Sequence, residues 1–294
     1  MPNSISLPVR PIYSNLAGYS QIGELATRLD HYEFSSISLD MRQMGWCDGN
    51  MCAPLGAVLY RAGRDLNDID LRDIPSSVEN LLRKNGFLTN YGRVYLEDTF
   101  SSTIQYQRFE PQDDRIFSYY LDEQLRNKAI PEMSTGLHKR FIEGLMEIFS
   151  NAVLHSETKM GIFVCGQYFH QQHRLDFTIA DLGIGIRQNL LDKIGLKLPA
   201  DQAIDWAVEG SNTTKRGPIP GGLGLKLLRE FIRLNHGRLQ IISDTGYWEQ
   251  FPDGRKEMTL LSNRFPGTVV NIEINTADQN SYQLSSEQEV DIPF

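Results

Sequence analysis

The sequence predicts an α/β protein of two units: a small α/β unit, then an α/β sandwich whose sheet is mixed and largely antiparallel. Three observations support this fold class. Residues 36–84 alternate strand-like and helix-like runs, which is typical of parallel strand pairing. Residues 141–155 form an amphipathic helix pattern that precedes two apolar, β-branched runs. A second helix pattern near residue 223 precedes three further strand-like runs.

Length and composition limit the function classes. A chain of 294 residues suits two domains, and 40% hydrophobic residues is typical of a globular protein. No apolar run is long enough for a membrane span, and the N-terminus lacks the apolar core of a signal peptide. The net charge of -8 disfavours nucleic-acid binding. Cys47, Cys52 and Cys165 are odd in number and lack metal-ligand spacing, which favours reduced thiols in the cytoplasm.

The first unit is predicted to span residues 1–120. Its expected elements, in order, are helix Ala17–Leu29, strand Ser36–Met41, helix Met51–Arg61 with Asn50 as its N-cap, strand Asn67–Arg72, helix Val78–Lys84, and strands Arg93–Glu97 and Thr103–Phe109. A helix at Ile116–Asn127 lies in the boundary region, residues 111–134. Residues 121–276 form the predicted second unit, and residues 277–294 a polar, acidic tail.

The helix predicted at Phe141–His155 carries two stripes. One is apolar and faces a core. Residues of the other are spaced by four and share one face: Glu143, Glu147, Asn151 and His155. A carboxylate, an amide and an imidazole in a row suit a hydrated cation or a phosphate. The alternative is a solvated helix face with i,i+4 contacts.

Two glycine-rich segments follow. Strands predicted at Lys159–Tyr168 and Arg174–Ala180 lead into Asp181-Leu182-Gly183-Ile184-Gly185. There the glycines allow the backbone to approach a flat ligand, and Asp181 can accept a hydrogen bond from an amino group. Residues 187–220, with a helix at Asp201–Glu209, have the length of a functional lid. Each glycine segment alone is equally consistent with a tight turn.

The second glycine segment, Gly221-Gly222-Leu223-Gly224, opens a helix predicted at Leu223–Asn235. Backbone N–H groups at such a helix start are free to bind an anion. Three strands are predicted after it: Arg238–Ser243, Lys256–Leu261 and Gly267–Ile274. The glycines fit neither a Walker loop nor a Rossmann fingerprint, and the motifs of protein kinases are absent.

Residues 135–275 resemble the ATP-binding domain of the GHKL superfamily of gyrase, Hsp90, histidine kinases and MutL. The matching motifs are Glu147-x-x-x-Asn151-Ala152-x-x-His155, Asp181-x-Gly183-x-Gly185 and Gly221-Gly222-Leu223-Gly224-Leu225, in that order. The resemblance implies the Bergerat fold, with ATP and Mg²⁺ bound between the helices and the lid.

The resemblance also implies a role for each matching residue. Asn151 would bind the Mg²⁺ that bridges the phosphates, and Asp181 would accept a hydrogen bond from the adenine amino group. Glu147 would orient or deprotonate the attacking water or hydroxyl. The remaining positions would line the nucleotide: Gly183 and Gly185 beneath the adenine and ribose, Gly221, Gly222, Leu223 and Gly224 at the phosphates, Thr213, Thr214 and Lys215 in the lid, and His155 at the phosphate end or in a structural hydrogen bond.

The favoured function is therefore a Mg-ATP-dependent ATPase that acts as a conformational or regulatory switch. The alternatives are a serine/threonine kinase of the anti-sigma-factor type and a non-catalytic ATP-binding scaffold. A sensor histidine kinase is disfavoured, because His138 lies too close to the first motif for a separate acceptor hairpin. The expected partners are ATP and a protein of unknown identity, with self-dimerisation as one form.

The first unit resembles a STAS-like domain through its strand, its Asp48-Gly49 loop and the helix that follows. Regulated members of that family carry a phosphate-accepting serine at the start of this helix. Between Gly45 and Leu59 this chain has no hydroxyl residue, so phosphorylation at that position is not expected.

Overall fold

A computed structural model describes residues 4–126, 128–209, 223–284 and 287. The side chains of residues 4, 155 and 223–225 lie outside this description. The described residues form two sheets: one of three strands near the N-terminus and one of five strands.

The N-terminal unit is a three-stranded parallel sheet in the order β1-β2-β3 with helices between its strands. Its elements are β1 (Ser4–Pro8), α1 (Leu16–Leu29), β2 (Ser36–Asp40), α2 (Cys52–Arg64), β3 (Asp68–Arg72) and α3 (Ser76–Lys84). The predicted alternation and parallel pairing are confirmed. β1 was not predicted, because its prolines indicated a break. As an edge strand, β1 tolerates Pro8 at its end.

The second unit is an α/β sandwich, as predicted, on a five-stranded sheet in the order β4-β5-β6-β8-β7. All its pairings are antiparallel. Its elements are β4 (Thr103–Phe109), α4 (Asp114–Leu125), α5 (Thr135–His155), β5 (Ile162–Phe169), β6 (Arg174–Asp181), α6 (Gly185–Ile194), α7 (Ala200–Val208), α8 (Leu223–Leu234), β7 (Arg238–Gln250) and β8 (Lys256–Asn275).

Four local features differ from the sequence predictions. Residues 93–97 form no strand; instead the Arg83 side chain binds the Val94 carbonyl at 2.8 Å. α6 was not predicted. The last two predicted strands are one long strand, β8, which continues through Pro266 where the pairing register shifts. The predicted boundary at residue 120 falls inside α4, whereas β4 already belongs to the second sheet.

The five-stranded sheet is covered on both faces. One face packs on α4, α5 and α8 and buries Leu175, Phe177 and Ile179 of β6. The other face packs on the N-terminal unit, in a core that includes Phe163 and Leu182. Because strand side chains alternate between faces, Asp181 points to the helix side.

Asn50 joins the N-terminal unit to the sheet. It was predicted to cap α2, but the N-cap position is Met51 and no side chain caps that helix. The nitrogen of the buried Asn50 amide instead lies 2.7 Å from Ser14 Oγ, 3.0 Å from Thr178 Oγ1 and 3.1 Å from Asn271 Oδ1, which share its two N–H donors. A buried amide requires partners, and the sheet face provides them.

Among the described residues, no helix is long and apolar enough to cross a membrane. The beginning of the tail packs on the helix layer through Tyr282, whose ring lies 5.4 Å from that of Phe231.

Candidate nucleotide site

The first predicted motif lies on α5, which starts with a side-chain cap. Ser134 Oγ accepts from the Leu137 N–H at 3.1 Å, so the helix begins earlier than the sequence predicted. Phe141 and Phe149 are buried in the core, whereas Glu147 and Asn151 are half-buried. The two polar side chains therefore share one helix face with access to solvent.

The start of α8 lies beside the second half of α5. Tyr282 joins the other ends of the two helices: its carbonyl accepts from Ser134 N–H at 2.8 Å, and its hydroxyl donates to the Leu234 carbonyl at 3.1 Å. The rings of Phe141 and Phe231 are 5.5 Å apart. With a rise of about 1.5 Å per residue, this antiparallel packing brings the start of α8 close to the level of Asn151.

Asp181 ends β6 and is 4% exposed. Its carboxylate accepts from the Gly183 N–H at 2.9 Å. Burial raises the pKa of Asp181 to about 7, although the hydrogen bond from the Gly183 N–H acts to lower it. The Asp181 carboxyl group therefore changes between its protonated and ionised forms near neutral pH, and its ionised form is a hydrogen-bond acceptor.

The glycines after Asp181 let this loop meet the end of α5. A Cβ on Gly183 would lie 2.1 Å from the Ser156 carbonyl oxygen, so no larger residue fits there. Gly185 has a φ of +78°, in the left-handed region that favours glycine. The Ile184 N–H donates to the Ser156 carbonyl at 2.7 Å. The structure therefore brings the first two predicted motifs together.

Sequence reasoning missed three hydroxyl residues that support this loop. Ser156 follows α5, and its carbonyl accepts from the Ile184 N–H of the loop. Ser243 Oγ accepts from the Ile186 N–H at 2.9 Å and lies 3.0 Å from Thr268 Oγ1. Thr268 pairs with Asp181 across the sheet. The sequence does contain a signal for them, because each lies at the end of a predicted element. Ser156 follows a predicted helix, Ser243 ends a predicted strand, and Thr268 lies at the start of another, after Gly267.

Part of the predicted site lies outside the described residues: Thr213, Thr214, Lys215, Gly221, Gly222 and the side chain of His155. Leu223 and Gly224 are the first residues of α8. Within the described ranges, no group of three or more His, Cys, Asp or Glu side chains is placed to hold a metal ion. The phosphate-binding half of the site stays a prediction.

Comparison with known proteins identifies the second unit. Residues 136–276 match the sequence model of the family described as histidine kinase-, DNA gyrase B- and HSP90-like ATPase. This part of the chain is therefore a domain of that family, an ATP-binding module of the GHKL ATPase or kinase type. The resemblance drawn from the three motifs is confirmed, while the STAS-like resemblance of the first unit stays a prediction.

One relative is the circadian input-output histidine kinase CikA of Synechococcus elongatus. It is 28% identical over 141 residues, which are 48% of this chain and 17% of that protein. The match thus spans a small part of the relative's length.

Proposed function

We propose that the protein is a Mg-ATP-dependent ATPase that acts as a regulatory switch. The observation that carries this proposal is the placement of the loop after the buried Asp181 against Ser156, at the end of α5, the helix that bears Glu147 and Asn151. The Asp181 acceptor suits the adenine, and the polar face of α5 suits a metal ion. The nearby start of α8 suits the phosphates.

Each group has a chemical role in this proposal. Asp181 accepts a hydrogen bond from the adenine amino group. The amide oxygen of the half-buried Asn151 is a hard ligand that suits Mg²⁺, which typically takes few protein ligands and completes its shell with phosphates and water. Glu147, one turn before Asn151, orients or deprotonates the attacking water.

Substitution of Glu147 tests the ATPase proposal. We expect Glu147→Gln to keep nucleotide affinity and to lower ATP turnover by roughly 10²-fold or more, because the base is lost. The matched control is Glu143→Gln, one turn earlier, where the carboxylate pairs with Arg140 at 2.7 Å. Turnover that falls equally in both variants, or in neither, would contradict the role of Glu147.

Phosphotransfer to a protein is the second candidate. The first motif is similar to that of anti-sigma-factor kinases, and the relative described above is named a histidine kinase. Incubation with ATP labelled at the γ-phosphate distinguishes the two. An acid-stable label on protein would indicate a serine/threonine kinase, an acid-labile label a histidine kinase, and free phosphate alone an ATPase. Tight nucleotide binding without turnover or labelling would indicate a non-catalytic ATP-binding scaffold.

The switch role rests on the contact between the two units. Leu182, within the adenine loop, packs in the core shared with the N-terminal unit. A structural change at Asp181 on nucleotide binding would thus be transmitted to the N-terminal unit through Leu182. The N-terminal unit would then bind a protein partner, or a second copy of the chain, differently. The free, buried Cys47, Cys52 and Cys165 support a reducing, cytoplasmic location.

A further inference from the structure

A groove lies where the N-terminal unit meets the five-stranded sheet. Its volume is about 400 Å³, which is in the size range of small-molecule sites. Gly56, Tyr60 and Gly63 line it from one face of α2. Tyr91, which follows α3, and Tyr106 of β4 also line it. This space, the junction groove, is therefore formed by residues of both units.

The two glycines of α2 give the groove its shape. A Cβ on Gly56 would lie 2.3 Å from the Tyr106 hydroxyl oxygen, so glycine is required for Tyr106 to pack this close to α2. A Cβ on Gly63 would meet no atom within 4 Å. Gly63 therefore marks the open part of the groove, where a ligand can approach the helix backbone.

The three tyrosine rings of the groove are held by buried phenylalanines. The Phe87 ring lies 5.1 Å from that of Tyr106 and 5.3 Å from that of Tyr91. The Tyr60 ring lies 5.5 Å from that of Phe163. Both phenylalanines are fully buried, whereas the tyrosines are half-buried. The groove thus has aromatic walls that are fixed before any ligand binds, which lowers the ordering cost of binding a flat ring.

The polar groups of the groove are hydrogen-bond donors. Burial raises the pKa of Tyr91 and of Tyr106, so both hydroxyls are neutral at physiological pH. Within the described ranges, these two hydroxyls and that of Tyr60 have no hydrogen-bond partner. Of the described residues that line the groove, Arg64 is the one with a charged side chain. It is exposed and forms no ion pair with another described residue. Neutral hydroxyls and one guanidinium suit a ligand with a single carboxylate.

The groove is also connected to the candidate nucleotide site. Phe163, which holds the Tyr60 ring, lies on β5 opposite Ala180 of β6. Ala180 directly precedes Asp181. A ligand that displaces Tyr60 would therefore act on a strand pair that ends at the proposed adenine acceptor.

We propose that the junction groove is an effector site for a small planar aromatic carboxylate. The rings of the ligand stack on the tyrosines, and its carboxylate pairs with Arg64. Because the bound ligand contacts both units, it changes the affinity of the second unit for nucleotide. This effector role rests on the proposed function, whereas binding of the ligand itself does not.

Binding is tested with 1-naphthoate and benzoate by ligand-observed NMR titration. We expect 1-naphthoate to bind with a Kd of about 1 mM or lower, which is the affinity expected for about a dozen non-hydrogen atoms. Its neutral amide, 1-naphthamide, and the non-planar cyclohexanecarboxylate should bind about fivefold more weakly or worse. Failure of both aromatic carboxylates to bind the wild type at about 10 mM would overturn the proposal.

Two variants locate the binding site. Gly63→Leu fills the open part of the groove and should abolish binding of 1-naphthoate; its Cβ has space and its position is helical, so the variant should fold. Arg64→Gln should lower the affinity for 1-naphthoate about fivefold and leave that for 1-naphthamide unchanged. The matched control is Arg115→Gln, another exposed arginine with no ion pair to a described residue. Unchanged binding of 1-naphthoate in Gly63→Leu, or equal effects of the two arginine variants, would overturn the site.

The effector role is tested by the affinity for a non-hydrolysable ATP analogue with Mg²⁺, measured with and without saturating 1-naphthoate. We expect a change of about fivefold or more in the wild type and none in Gly63→Leu. An unchanged nucleotide affinity in the wild type overturns the effector role. An equal change in Gly63→Leu also overturns it, because the carboxylate then acts at the nucleotide site itself. If the wild type binds 1-naphthoate but no adenine nucleotide, the proposed function fails and the groove remains a ligand site.

Discussion

Asp181→Asn should make the protein more stable and less able to bind ATP. Burial raises the pKa of Asp181 from 3.8 to about 7, so keeping this group ionised in the folded protein costs roughly 4 kcal/mol. Since the folded pKa lies above the unfolded value, this cost is absent below pH 4, grows as pH rises and is complete above pH 7. Asparagine avoids it.

The magnitude follows from the local contacts. The asparagine side chain would still accept from the Gly183 N–H through its oxygen, but its NH₂ would face the adenine amino group. We expect the free energy of unfolding at pH 8 to rise by roughly 2–4 kcal/mol over wild type, with the gain vanishing near pH 4. ATP affinity should fall by roughly 10- to 100-fold, the value of a hydrogen bond to a charged group.

Urea unfolding at pH 4.5, 6 and 8, together with calorimetric titration of ATP at pH 8, measures both effects. A variant that is less stable than wild type at pH 8 would refute the inference that burial of this charge is costly. A variant with wild-type ATP affinity would refute the assignment of Asp181 to the adenine.

Two further substitutions test the loop and the contact between the units. Gly183→Ala should abolish nucleotide binding and lower the midpoint of thermal unfolding, because its Cβ would lie 2.1 Å from the Ser156 carbonyl oxygen. The control is Gly45→Ala, whose Cβ would meet no atom within 4 Å. Equal behaviour of the two variants would contradict the packing of the loop on Ser156. Asn50→Ala should lower the free energy of unfolding by roughly 1–3 kcal/mol, measured in urea, because it removes the hydrogen bonds from the buried Asn50 amide to Thr178 and Asn271 of the sheet. No loss of stability would show that the contact is dispensable.

Local patterns predicted the parts of the fold that depend on local physics. The apolar and polar stripes of residues 141–155 predict most of α5, although the helix begins at Thr135. The glycines of the Asp181 loop predict a close approach of the backbone to a ligand or a tight turn, and at Gly183 the loop lies against the Ser156 carbonyl. Both follow from spacing and steric size alone, which a sequence displays directly.

The rest depends on contacts between distant residues. Asparagine is a residue type that often caps helices, so the sequence predicts that role for Asn50. Only the structure shows that its amide hydrogen-bonds Thr178 and Asn271 on the neighbouring sheet. Pro266 indicates a break unless the register shift in β8 is known. Ser156 is one of many serines in the sequence, and its importance becomes apparent only when the loop after β6 lies against its carbonyl.

Hydrogen–deuterium exchange with and without a non-hydrolysable ATP analogue and Mg²⁺ tests the central claim most directly. The account predicts protection of backbone amides in residues 147–158 and 181–187 on addition of the nucleotide, and no such protection in Asp181→Asn. Unchanged exchange in both segments, at a nucleotide concentration that saturates binding, would contradict a nucleotide site at the junction of α5 and β6.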